Sequence, residues 1–401
     1  MHKERTVKET ILNISDSFKV VLLTGMRQIG KTTLLKHLSK NRKYVTLDDK
    51  DDLRLAKQEP KLFFEQYKPP VLIDEVQYAP ELFPYIKILA DNSDARGSIW
   101  LSGSQQFLMM KNVSESLAGR VGLVDMLGFS IYEQEEKASM QIPFLPSNKP
   151  ASQLRRKTMA DTYKIIWRGF FPDIDLHGDS KWEAFYKSYL KTYIERDVRA
   201  LLNVGDEFKF ETFLNVVAAR TGQELNLTDI AKDAGISQTT ATRWISVLRA
   251  SGIVYLLRPW HKNIGKRIVK TPKIYFTDTG LCSYLTGWKT PETLERGAMS
   301  GAIFETFVIV EILKSYIHNG FEPRFYFYRD SNRVEIDLLI SQNGLLYPVE
   351  IKRTMHPHKN DIAAFSTLGK KEKLGYGSLI CMTDKPQLLT SEANAISVWD
   401  I

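Results

Sequence analysis

The sequence predicts an α/β chain in four successive parts. A parallel sheet with a glycine loop comes first (1–135), then a helical middle (136–205), a helix–turn–helix with a basic wing (206–285) and a smaller α/β unit (286–401). Three stretches carry that expectation: "KVVLLTGMRQIGKTTLLKHL", "LNLTDIAKDAGISQTTATRWISVLRASGIVYLLRP" and "VEIDLLISQNGLLYPVEIKR". At 401 residues the chain is long enough for several domains. Its hydrophobic share of 43% and charged share of 25% are those of a globular protein. It contains no apolar run of the roughly 18 residues a membrane helix needs. The opening "MHKERTVKETILN" is too charged for a signal peptide. The two cysteines, Cys282 and Cys381, are too few for a disulfide framework or a zinc knuckle and read as core residues in a cytoplasmic protein. A net charge of +8 permits a polyanionic partner without demanding one.

Val20 to Thr24 reads as a buried strand, and Leu34, Leu35 and Leu38 give the following segment helical periodicity. Between them Gly25-Met26-Arg27-Gln28-Ile29-Gly30-Lys31-Thr32 fits G-x-x-x-x-G-K-[ST], the P-loop of an NTPase. Gly25 and Gly30 let the backbone curl so that N–H groups face phosphate oxygens, and the helix after the loop adds its N-terminal partial charge. Lys31 reaches the outer phosphates of ATP, Thr32 holds Mg²⁺, and Arg27, Gln28, Ile29 and Thr33 complete the cradle. A second strand, Val71-Leu72-Ile73, ends in Asp74-Glu75. In a P-loop enzyme such an Asp positions Mg²⁺ and the neighbouring Glu polarises the attacking water. A third strand, "SIWLSGSQQF", places Ser104 or Gln105 where the γ-phosphate is sensed.

With "YVTLDD", "VLIDEVQYAPELF", "WLSGS" and "SLAGRV" following "GMRQIGKTT" in order, residues 10–135 resemble the AAA+-like ATPases whose loop reads GxRQxGKT. The resemblance implies Lys31 and Thr32 on nucleotide and metal, Asp74 on Mg²⁺ and Glu75 as the catalytic carboxylate. It also points to Arg120 for a γ-phosphate contact in cis, or in trans within a homo-oligomer.

Residues 134–160 hold Pro143, Pro146 and Pro150 among polar residues and read as a loop. Beyond it Trp182, Phe185, Tyr186, Tyr189 and Tyr193 form an aromatic stripe at helical spacing, which is core. Thr228 is placed to cap a short helix, Gly235 supplies a turn, and Ser237 caps a second helix. That second helix turns Ala241, Trp244, Ile245 and Leu248 inward and leaves Thr239 and Arg243 for a nucleic-acid groove. From Arg258 to Lys273 there are six basic residues, Lys266 and Arg267 among them, and no acidic one, as in the wing of a winged helix.

In the last stretch Glu335, Asp337 and Leu339 alternate onto one strand face, and Leu346, Pro348, Glu350 and Lys352 onto the matching face of the next. Carboxylates held together on a partly apolar surface repel, and Mg²⁺ or Mn²⁺ together with Lys352 would compensate them. Glu305, in the helix before, lies off its apolar stripe. Helix, three strands, helix and strand is the order of a PD-(D/E)XK, restriction-endonuclease-like core, which this region resembles. The resemblance assigns Glu305, Asp337 and Glu350 to a metal and Lys352 to the water or the developing phosphorane charge. Nearly the whole chain, through "LTDIAKDAGIS", "KIYFTDTGL", "GAIFETFV", "FYFYRD" and "EIKR", resembles bacterial and archaeal proteins in which the GxRQxGKT ATPase precedes a domain of unknown function. The resulting expectation is an Mg²⁺-dependent ATPase acting on nucleic acid, DNA foremost, with a nuclease-like end that cuts or only grips. The alternative is a nucleotide-gated switch that binds a protein.

Overall fold

The computed structural model describes residues 3–104, 116–149, 154–193, 207–262 and 271–401, and every statement below concerns these. At the front, β1 (Val20–Thr24), β2 (Lys43–Thr46), β3 (Val71–Asp74), β4 (Ile99–Gly103) and β5 (Val121–Asp125) form one parallel sheet in the order β2-β3-β4-β1-β5. β1, β3 and β4 are buried at every residue, as strands covered on both faces must be. Because β4 lies between β1 and β3, its C-terminal end separates the glycine loop from the Asp74-Glu75 pair. α1 (Val7–Ser17) packs along β1 and β5, and α2 (Lys31–Leu38) follows the loop.

In the middle, α3 (Trp182–Tyr193) buries Trp182, Tyr186, Tyr189 and Tyr193, so the aromatic stripe is core. The helix–turn–helix consists of α4 (Leu227–Asp233) and α5 (Gln238–Ala250), with Gly235 at φ 64° between them. Ser237 caps α5, accepting from the Thr240 N–H. The α4 cap is Asn226, not Thr228: its side chain accepts from the N–H groups of Thr228 and Asp229, so the helix begins two residues earlier than expected.

β6 (Gln223–Glu224), β7 (Val254–Pro259) and β8 (Lys273–Phe276) belong to a nine-stranded sheet. Its other strands are β9 (Phe325–Arg329), β10 (Glu335–Gln342), β11 (Leu345–Ile351), β12 (Gly377–Cys381), β13 (Gln387–Thr390) and β14 (Ala393–Ser397). The order is β13-β14-β12-β11-β10-β9-β7-β8-β6. β7 runs parallel to β9, Arg258 opposite Tyr326 and Pro259 opposite Phe327. The strands expected to flank a basic wing therefore continue the C-terminal sheet. The β10–β11 turn uses Asn343 and Gly344 at φ 51° and 76°, the left-handed pair a tight hairpin demands.

α6 (Ser300–Ile317) is apolar nearly all round and lies in the interior. One continuous apolar cluster runs from Val21 and Leu23 of β1 through Tyr186, Trp244 and Phe307 to Leu338 of β10, so the four parts share a core. Both cysteines are buried and unbridged. No described helix is long and apolar enough to cross a membrane.

Candidate functional site

The glycine loop leaves β1 where the sequence places it. Gly25 has φ 147°, and a Cβ there would lie 2.2 Å from the Met126 carbonyl oxygen, so only glycine fits. Gly30, at φ 91°, hands the chain to α2. Lys31 is buried, and its ammonium donates to the carbonyls of Gly25 (2.8 Å) and Met26 (2.6 Å) within its own loop. Thr32 Oγ1 donates to Asp74 Oδ2 at 2.9 Å, and Asp74 also accepts from Ser102 and from Tyr44 at 3.3 Å. These bonds bring together the expected Mg²⁺ pair, Thr32 and Asp74. Ser104, at the end of β4, has a buried hydroxyl with no partner among the described residues; Gln105 lies outside them.

Glu75 sits in the left-handed region at φ 57° and accepts from the Gln77 amide. A glutamate held there costs on the order of 1–3 kcal/mol, which only a surrounding structure that fixes it can sustain. Burial raises its proton affinity, opposed by the Gln77 hydrogen bond and the charges of Lys31 and Arg27. That is the bias a general base needs. Arg27, Gln28, Gly30, Lys31, Thr32, Thr33 and Glu75 line a cleft of about 1070 Å³. Its opposite wall comes from the helical middle, with Pro172, Lys181, Phe185 and Ser188. Ile29 is buried under the loop. The site fits a triphosphate with its cation: a lysine folded on carbonyls that phosphate oxygens can replace, a hydroxyl–carboxylate pair and an unpartnered buried hydroxyl.

Arg120 is not part of this cleft. Its carbonyl bonds to Val20 N at the entry of β1, whereas the loop leaves the exit, roughly 16 Å away at strand rise. Its guanidinium pairs with Asp91 (3.1 Å for Nη2–Oδ2). A cis γ-phosphate contact is thereby corrected: the residue before β5 lies at the wrong end of a parallel sheet.

The second constellation lies at the other sheet. Asp337 and Glu350 are buried and Glu305 nearly so. What the sequence did not show is Lys273, expected as a wing base. Its buried ammonium lies 2.6 Å from Glu335, 3.2 Å from Glu305 and 3.8 Å from Asp337. Tyr275 donates to Glu305 at 2.6 Å, the Ile351 N–H donates to Asp337 at 2.9 Å, and Lys352 pairs with Glu350 at 2.7 Å. Burial, with the charges of Glu305 and Glu350, pushes the Asp337 carboxyl well up. Burial likewise raises Glu350, against the pull of Lys352. Among the described residues no group of three ligating side chains is placed to hold a metal ion. Two of the expected ligands, Glu305 and Asp337, converge on the Lys273 ammonium, and Glu350 pairs with Lys352. The available signal was a lysine opening the apolar strand "KIYF".

Thr239 and Arg243 are exposed on α5. Lys266 and Arg267 lie outside the described residues. Sequence reading also missed a buried network behind the loop. Arg5 donates to the Ile29 carbonyl (2.9 Å) and the Leu127 carbonyl (2.7 Å) and pairs with Glu133. Glu133 lies 3.4 Å from His318, which follows α6 directly. The Thr277 hydroxyl, just past β8, contacts the sulfur of Met26 in the loop at 3.3 Å.

Residues 17–135 match the AAA domain family model, 159–292 a domain of unknown function (DUF8612) and 300–401 another (DUF4143). With the loop geometry above, this defines the class: a P-loop protein with an AAA-type ATPase domain. The "Uncharacterized protein Rv2008c" of Mycobacterium tuberculosis and "Uncharacterized protein Mb2031c" of Mycobacterium bovis are each 32% identical over 341 residues, 84% of this chain and 71% of theirs. The chain belongs to the family of these mycobacterial proteins. Among solved structures, a Walker-type ATPase of Pyrococcus abyssi aligns with 70% of this chain and 94% of its own at 14% identity and a TM-score of 0.44.

Proposed function

We propose that the protein hydrolyses ATP at the front loop and uses the cycle to act on nucleic acid, DNA foremost. The observation that carries the ATPase half is a cleft lined by Lys31, Thr32 and Glu75, with Thr32 bonded to Asp74 and Asp74 to Ser102 behind it. On ATP binding the Lys31 ammonium exchanges the Gly25 and Met26 carbonyls for phosphate oxygens. Thr32 and Asp74 are the residues that would hold Mg²⁺, which when bound neutralises charge on the outer phosphates. Glu75 takes the proton of the attacking water, and the Ser104 hydroxyl contacts the terminal phosphate. Phe185, across the cleft, offers its ring to the base.

Loss of the γ-phosphate shifts the loop, and two contacts carry the shift outward. Ile29 hands it through Arg5 and Glu133 to the end of α6, and Met26 through Thr277 to the β7–β8 hairpin. The nucleic-acid half rests on the exposed Thr239 and Arg243 of α5 and on the basic run that includes Lys266 and Arg267. Any γ-phosphate contact by Arg120 is with a second chain.

Fluorescence anisotropy with duplex DNA tests the second half. Arg243→Ala and Lys266→Ala/Arg267→Ala are expected to weaken binding and to reduce its salt slope by about 0.9 per phosphate contact removed. Unchanged affinity in both variants would leave an ATPase that addresses something else, such as a protein.

A further inference from the structure

The carboxylate cluster at the C-terminal sheet already contains a cation, and the cation is a side chain. Four carboxyl groups meet there, from Glu305 on α6, Glu335 and Asp337 on β10, and Glu350 on β11. Lys273 arrives from β8, which β9 and β7 separate from β10, and touches three of the four. Its side chain is only 6% exposed. A phosphodiester that is to be cut must reach the cation that polarises it. Here the cation lies beneath the aromatic ring of Phe327, 5.6 Å from its centroid, and is closed in by its own carboxylate partners. Lys352 and Glu335, the more exposed members, rim the cluster.

We propose that Lys273 is the resident cation of this cluster, standing where a nuclease would keep its metal, so that the C-terminal sheet does not cleave phosphodiesters and the cluster instead clamps the β7–β8 hairpin to α6 and β10. Each of the four carboxyls lies within 4 Å of the Lys273 or the Lys352 ammonium. Tyr275 and the Ile351 N–H fill further acceptor positions that a hydrated metal would otherwise use. A lysine at the start of β8 thus does two things at once. It removes the divalent site, and it locks the helix–turn–helix hairpin into the sheet that carries α6.

Calorimetric titration of the nucleotide-free full chain with Mn²⁺, alongside a cleavage assay on supercoiled and linear DNA with Mg²⁺ or Mn²⁺, tests this. The wild type is expected to show no saturable Mn²⁺ binding that Asp337→Asn removes, and no cleavage. Lys273→Met is expected to gain one Mn²⁺ site that is lost again in Lys273→Met/Asp337→Asn. Saturable binding or cleavage by the wild type that Asp337→Asn abolishes would overturn the proposal and needs no lysine variant. A folded Lys273→Met that takes up no Mn²⁺ would also overturn it. ATP turnover and DNA affinity, measured on the same preparations, report on the function proposed above, so that reading can fail while this one stands.

Discussion

Lys31, opening α2 after β1, and Lys273, opening β8, are both buried lysines, 7% and 5% exposed. Lys31 is held by two backbone carbonyls of its own loop, and its cleft opens beside it. An ammonium bonds charged phosphate oxygens more strongly than these neutral carbonyls, so an incoming triphosphate gains by replacing them. Lys273 is held by three carboxylates within 4 Å. Those charges raise its proton affinity against the effect of burial and leave it nothing to offer an anion. The same residue type makes a ligand site in one place and a structural clamp in the other. The two differ in the oxygens they bond: loop carbonyls for Lys31, carboxylates for Lys273.

The sharpest way to break this contrast is at the loop's base. Glu75→Gln keeps shape and hydrogen-bonding reach but cannot take a proton, so kcat for ATP is expected to fall by about 10²–10⁴ while nucleotide binding persists. Steady-state turnover and equilibrium nucleotide binding measure the two effects separately. Next is the clamp. Lys273→Met leaves buried carboxylates uncompensated and is expected to cost about 3–5 kcal/mol in denaturant unfolding, with ATP turnover by the folded fraction retained. A loss of turnover without a loss of stability would mean that Lys273 serves the ATPase site instead.

Glu133 gives a smaller effect with a definite sign. Burial opposes its charge, but Arg5 and His318 hold its carboxyl far below the usual range. Its contribution is therefore present above the ordinary carboxylate value of about 4.3 and is lost as pH falls below that value. Asp337 and Glu350, shifted upward, act oppositely, favouring the fold at low pH and losing that contribution as pH rises. The stability gap between wild type and Glu133→Gln, read from denaturant midpoints across pH 3–7, is expected to narrow toward the acid end. The smallest effect is expected at Gln77. Gln77→Leu removes a donor to Glu75, so the acid limb of the kcat–pH profile should move to higher pH.

The front site was legible because its chemistry is local. Eight consecutive residues build the cradle, and Asp74-Glu75 end a strand whose apolar run announces them. Arg120 shows the boundary of that legibility, since a motif gives order along the chain but not which end of a parallel sheet a residue occupies. The capping error was equally local, an Asn two positions before the Thr that was expected to act. The C-terminal carboxylates were legible from strand alternation. Their cation was not, because Lys273 meets Asp337 only after β8 joins β7, β7 joins β9 and β9 joins β10. The β7–β9 pairing involves only Arg258–Tyr326 and Pro259–Phe327, a join with no sequence signature, and it turns a wing into part of a nine-stranded sheet.

ATP hydrolysis by the purified chain and by Lys31→Ala, with both shown to be folded by circular dichroism, tests the central assignment most directly. The wild type is expected to bind and turn over ATP, and the variant to do neither. Undiminished turnover by Lys31→Ala would place the chemistry somewhere other than the glycine loop.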